Sequence, residues 1–378
     1  MTMYDQRLNS FREDFSNLEV DAAIIFNFEN QFYFTGLKAI TYSRPIILGI
    51  GEEKTHFIIP SLEEQHAKAK TNVDNYYIYH ETKMYSKNNE NYLDYFSQLL
   101  QQFPAHARIG IEFSTLPVIL RDMIVNKGFS LVNIDQYITK MRFVKDNQEL
   151  NSIREAGKLV SLALKESLNH ARQGITEIEL DQFGNTVLFK EVAKKHPHST
   201  LDYFVMSPSG IARTNMPHVF SNTRLLKKPD IIIHSRQVAI NGYRAECERT
   251  FFIGEPTTEQ KAVFSIAIKA QNEVLNQIKV GMKASEVNEV ARVIISEAGL
   301  EEYMNHRTGH GIGIGLHEEP SLRFDNELSL KEGMVFCVEP GIYVPEVGGF
   351  RHSDTVILTN NGAELITEYP RNIEHLIF

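Results

Sequence analysis

The chain lacks any apolar run long enough to cross a membrane. Its longest, such as Pro45–Ile50 and Ile231–Ile233, fall far short of the ~20 residues a spanning helix needs. It also lacks a basic excess: 39 Lys and Arg face 48 Asp and Glu, giving a net charge of −9 and a pI near 5.9. A protein that neutralises nucleic-acid phosphates needs a face of the opposite sign. Cysteine is scarce. Cys247 and Cys337 are the only two, and both read as reduced, buried core thiols rather than a disulfide framework. The N-terminal residues Met1 to Asp14 mix charged and polar groups without an apolar h-region, so no secretory signal is expected. What these absences leave is a cytoplasmic protein that acts on something small.

What is present is a chain of 378 residues, 42% hydrophobic and 23% charged, too long for one ordinary core and typical of globular domains. The first part alternates strand and helix signals. Ala22–Asn27, Pro45–Ile50, Thr55–Ile59 and Arg108–Ile111 read as strands, and Asn91–Gln102 and Leu116–Lys127 carry helical spacing. Met141–Glu149 is charged and lacks strand alternation, which suits a link. A long amphipathic helix then runs from Gln148 to Ala171 and stops at Gly174, and Thr176 with Glu179 forms a capping box that starts another. A second helix–glycine–helix unit, 258–278 and 284–298 around Gly281, points to duplicated α+β half-domains with a cleft between them.

The chemistry-bearing residues gather late in the chain. Glu246 and Glu248 stand two apart, so on a strand they face one side. Such a pair either raises one carboxyl's pKa for acid/base or metal work or decorates a solvated edge strand. Glu339 ends an apolar run, Met334–Val338, where a carboxylate must find a partner or ligand. His310 lies between glycines, which leaves its imidazole uncrowded. His317 follows in the same segment, and His218 comes from a distant one. The Gly-His-Gly-Ile-Gly run lacks the Lys and Ser/Thr of a phosphate loop.

These segments together resemble the ordered blocks of the creatinase, Xaa-Pro dipeptidase and aminopeptidase P superfamily. They are Glu246-x-x-Arg249-Thr250-Phe251, Gly309-His310-Gly311-Ile312-Gly313 with His317-Glu318-Glu319-Pro320, Val338-Glu339-Pro340-Gly341-Ile342-Tyr343, and Gly349-x-Arg351-x-x-Asp354. Phe34-Thr35-Gly36 and Arg44 (in Tyr42-Ser43-Arg44) are similar to that superfamily's first domain. The resemblance implies a small creatinase-N-like α/β domain over 1–140, a pita-bread α+β domain over 147–378 and a homodimer.

The family's metallopeptidases bind two divalent ions with two Asp, one His and two Glu. By motif those positions here are Ser235, Glu246, His310, Glu339 and Ser353. Serine hydroxyls are poor ligands for Mn, Co or Zn beside carboxylate and imidazole. The resemblance therefore implies loss of the paired site and no cofactor, or at most one weakly bound divalent ion on Glu246, His310 and Glu339. Creatinase, which works without metal, carries Glu in a Glu-Arg-Thr block like Glu248-Arg249-Thr250. Its catalytic groups map onto His218, Glu248 and Glu339, and its substrate carboxylate is held by arginines, one of them from the neighbouring subunit, which Arg44 resembles, with Arg323 the candidate for the other. His310, His317 and Glu246 complete the substrate-binding set. On strands, His234 and His352 point away from the pocket unless a bulge turns them inward.

The expected function is hydrolysis of a C–N bond in a small carboxylate-bearing substrate by acid/base chemistry without a metal pair. An Xaa-Pro dipeptidase with a reduced, mononuclear site is the alternative, and a non-catalytic binding module is the third reading. The expected partner is a small molecule or dipeptide, with no nucleic acid and no membrane.

Overall fold

The computed structural model describes residues 2–40, 43–81 and 90–378; Tyr42 of the Tyr42-Ser43-Arg44 block lies outside them. The chain divides into two compact units, Met1–Met141 and Arg142–Phe378. No helix among the described residues is long and apolar enough to cross a membrane.

The first unit contains strands β1 (Ala22–Ile25), β2 (Ile47–Ile50), β3 (Thr55–Pro60), β4 (Asn75–Tyr79), β5 (Arg108–Ile111) and β6 (Ser130–Asn133). They form one sheet in the order β4-β3-β2-β1-β5-β6, in which β1, β5 and β6 run parallel. β1 to β3 are buried throughout, as their continuous apolar runs require of interior strands. The helix expected from Leu116 starts at Val118, because Pro117 holds φ −65° at its N-cap and cannot be preceded by helical backbone at Leu116.

The second unit contains β7 (Leu201–Met206), β8 (Asp230–Ile240), β9 (Tyr243–Ile253), β10 (Gly309–Gly311), β11 (Glu318–Leu322), β12 (Val335–Val338), β13 (Gly341–Val344), β14 (Gly348–Arg351), β15 (Ser353–Thr359) and β16 (Gly362–Leu365). The main sheet runs β11-β10-β12-β15-β9-β8-β7, with β16 on β15, and β13 pairs with β14 separately. The Asn147–Asn169 helix, opened by an Asp146/Glu149 capping box, packs on β8 and β9 and on the Glu177–Lys195 helix, itself opened by Thr176/Glu179. A second helix pair, Thr258–Gln277 and Ala284–Glu297, packs against β11, β12 and β14. One apolar cluster, including Leu159, Val160, Leu164, Phe251, Val263, Phe336 and Val356, fills the space between helices and sheet. Glu246 and Glu248 thus sit on a central strand whose every residue is buried, so the reading of Glu246 and Glu248 as decoration of a solvated edge strand fails.

Candidate active site

Strand register assembles the site. Antiparallel partners share a face, and Glu248 on β9 is opposite both Ser235 on β8 and Ser353 on β15. One row along, Gln237 faces Glu246, while Cys337 on β12 faces Thr355 on β15 and His310 on β10. Glu339, two residues past Cys337, continues that ladder through its N–H to Thr308 O at 2.8 Å. Five strands therefore deliver two adjacent rows of polar side chains to one face. Close approach is built in: a Cβ on Gly309 would lie 2.1 Å from Cys337 O.

The opposite face carries the intervening residues. His234 meets Ser207 Oγ at 2.7 Å through Nδ1 and accepts from Arg236 Nε at 2.9 Å through Nε2, and Ser207 Oγ donates to Asp181 at 2.5 Å. The β8–β9 ladder runs unbroken past His234, and His352 packs its ring edge-on against Phe264 at 5.1 Å. Neither histidine turns toward the site row.

The buried carboxylates differ in their partners. Glu248 gives both oxygens to Arg351, from Nε at 2.5 Å and from the terminal NH2 at 2.8 Å. A bidentate guanidinium therefore already occupies Glu248, which the resemblance assigns to catalysis. Burial still pushes the Glu248 carboxyl up, to about 7, against the pull of Arg351. Glu339 Oε1 lies 3.3 Å from His310 Nε2, and its Oε2 lies 3.8 Å from Arg351 Nε. Burial works to raise Glu339, but His310 and Arg351 beside it hold it well below the usual carboxylate range. Burial likewise opposes a charged His310, yet Glu339 and Glu246 hold its pKa above the ordinary value. Glu246 is raised, first by burial and then by the Glu339 charge. One of its oxygens accepts from Gln237 Nε2 at 2.5 Å.

Four buried atoms on this face have no hydrogen-bond partner: Glu246 Oε1, Gln237 Oε1, His310 Nε2 and Ser353 Oγ. Buried polar atoms left open in this way mark where a ligand, ion or water belongs. Glu246, His310 and His317 also offer donor atoms within 4.8 Å of one another. His310 Nδ1 lies 2.8 Å from Gly311 O, which fixes that nitrogen as the N–H donor and aims Nε2 at the carboxylates.

His317 stacks 4.0 Å from His310, centroid to centroid, and His218 lies 6.4 Å from His317. His218 is exposed, on a loop anchored by buried Glu177, which accepts from Ser209 N, Arg213 and Asn222 N at 2.8 to 3.1 Å. Arg44 belongs to the Met1–Met141 unit and pairs with Glu81 at 2.6 Å, and Arg323 pairs with Asp325 at 2.7 Å in solvent. Sequence reasoning missed Gln237, gave His306 and Arg307 no role, and quoted Tyr343 and Arg351 only as motif letters. His306 Nε2 and Tyr343 O–H are 2.9 Å apart, and Tyr343 accepts from Arg351 at 3.1 Å. The available signal was an arginine, Arg351, set in the apolar-flanked run ending at Phe350.

Comparison with known proteins agrees with this architecture. Residues 151–360 match the model of metallopeptidase family M24, and residues 7–144 that of the Creatinase/Prolidase N-terminal domain. YkvY of Bacillus subtilis strain 168, named as a candidate dipeptidase, is 30% identical over 97% of this chain and 98% of its own. An Xaa-Pro dipeptidase of Pyrococcus horikoshii is 27% identical over 99% and 100%. Among solved structures, a prolidase from Thermococcus sibiricus superposes with TM-score 0.87 at 27% identity, covering 100% of this chain and 99% of the other. The two units are accordingly a creatinase-N-like domain followed by a pita-bread domain.

Proposed function

The chain belongs to metallopeptidase family M24, hydrolases of peptide C–N bonds, and on that premise we propose that it cleaves a C–N bond in a small carboxylate-bearing substrate without a paired metal site. The relatives' names favour a short peptide, an Xaa-Pro dipeptide first, over an amidine. One observation carries the reading. The two serines stand where carboxylates are needed, and the remaining charges compensate one another, Glu248 with Arg351 and Glu339 with His310. A metal pair brings four positive charges and needs bridging carboxylates; this donor set does not fit it.

Catalysis then falls to the chain's own groups. Burial, then Arg351, lowers the pKa of His218, so the ring is neutral at pH 7 and takes a proton from the attacking water. The same ring returns it to the leaving nitrogen. General acid–base help of this kind contributes about 10²- to 10⁴-fold. Glu339 and Glu246 accept N–H groups of the bound substrate, and Glu248 acts through Arg351 by fixing its guanidinium beside Glu339.

The test is turnover of Xaa-Pro dipeptides and of creatine by chelator-treated protein. Turnover should persist in EDTA and fall about 10²-fold or more in His218→Ala. Activity that appears only on adding Mn²⁺ would overturn the reading. A second reading, one weakly held divalent ion, is favoured by the Glu246, His310 and His317 donor group. Stoichiometric binding of a single ion would support it.

A further inference from the structure

The site's cations are nearly all committed. Arg351 is taken by Glu248, and Arg142 and Lys145 by Glu318. Of the arginines that the sequence points to for a substrate carboxylate, Arg323 pairs with Asp325, and Arg44, expected to serve a neighbouring subunit's site, pairs with Glu81 in the first unit. Arg307 is different. It is half-buried, its Nε is buried without a partner, and no carboxylate among the described residues lies within ion-pair distance of it. A buried N–H without an acceptor is unfavourable, and the deficit is relieved when an acceptor such as a carboxylate arrives.

Arg307 also sets the state of its neighbour. Its terminal NH2 lies 3.4 Å from His317 Nδ1. A guanidinium only donates, so Nδ1 accepts, and the neutral ring carries its proton on Nε2. His317, whose ring lies 4.0 Å from that of His310, thereby offers a second N–H donor. The same tautomer weakens His317 as a metal ligand, because Nδ1 is engaged and Nε2 is protonated.

We propose that Arg307, with His317 as its neighbour, is the receptor for the substrate carboxylate, and hence the residue that restricts the site to ligands bearing a free carboxylate next to the bond attacked. The planar fork of arginine matches a carboxylate in two parallel hydrogen bonds, which a lysine does not reproduce. Only the identity of the ligand rests on the proposed hydrolase function.

The test is calorimetric titration of the full chain with a ketomethylene isostere of Ala-Pro, which cannot be hydrolysed, as free acid and as C-terminal amide. The unsubstituted protein should prefer the acid by about tenfold or more, the scale of one charge-assisted pair. Arg307→Gln should bring the two ligands within about twofold while amide affinity stays unchanged, and Arg307→Lys should keep part of the preference. An equal loss for both ligands, a preference that survives Arg307→Gln, or no binding of either ligand to the unsubstituted protein would overturn the assignment. Carboxylate-selective binding without hydrolysis of Ala-Pro itself would sink the hydrolase reading and leave the receptor standing.

Discussion

Glu318 offers a prediction whose size follows from the structure. Its side chain is 6% exposed and sits between Arg142 and Lys145 Nζ, the latter at 3.3 Å. Its Oε1 accepts from Ile314 N at 2.8 Å and Gly315 N at 2.9 Å, so it staples the loop that presents His317. Burial pushes this carboxyl up, but Arg142, Lys145 and the backbone donors win and hold it at about 2. A fall from an ordinary 4.5 to about 2 corresponds to about 3 kcal/mol of folding free energy. The folded pKa is depressed, so the contribution is complete above pH 4.5 and is lost as the pH falls toward 2. Glu318→Gln also takes the buried anion from Lys145 and weakens the hold on Arg142, so the loss at pH 7 should be about 3–5 kcal/mol. The chain contains no Trp, so urea unfolding is best followed by far-UV circular dichroism. The gap between unsubstituted and Glu318→Gln protein should be wide at pH 7 and narrow steadily below pH 4.5. A gap under about 1 kcal/mol at pH 7, the scale of an exposed pair, or one that does not change down to pH 3, would refute the reasoning.

Other expectations follow the same logic. Gly309→Ala drives a Cβ to 2.1 Å from a backbone oxygen of β12, which no side-chain rotation relieves. It should cost about 3 kcal/mol or more in thermal unfolding and misplace His310. Arg351→Met leaves Glu248 buried without its cation, and Glu339 with His310 alone, and should cost about 3–5 kcal/mol; the double variant with Glu248→Thr should recover part of that in urea unfolding. Glu177→Gln should quicken hydrogen exchange over 208–222, the segment tied to it through Ser209, Arg213 and Asn222, and lower turnover with it.

The sequence makes legible whatever depends on local pattern. The helix starts at Thr176 and Asp146 are visible as capping boxes, and the interior strands as apolar runs. β7 passes unnoticed because an edge strand with half-exposed residues carries little apolar alternation. The motif blocks draw attention to His310, Glu339, Glu246 and Glu248, which register does bring to one face. Partnership is not local. Glu248 and Arg351 are 103 residues apart in sequence, and nothing in Glu-Cys-Glu-Arg-Thr says that the second carboxylate is already occupied. An unpaired arginine is equally invisible, since Arg307 and Arg323 look alike until their surroundings are known.

Hydrolysis on a site without a metal pair is what we propose for this chain. The most direct measurement is metal content per chain by mass spectrometry, taken alongside turnover of an Xaa-Pro dipeptide through dialysis against EDTA and readdition of Mn²⁺. At most one substoichiometric ion is expected, with turnover that does not track it. Two ions per chain, with turnover rising and falling with their number, would contradict the proposal.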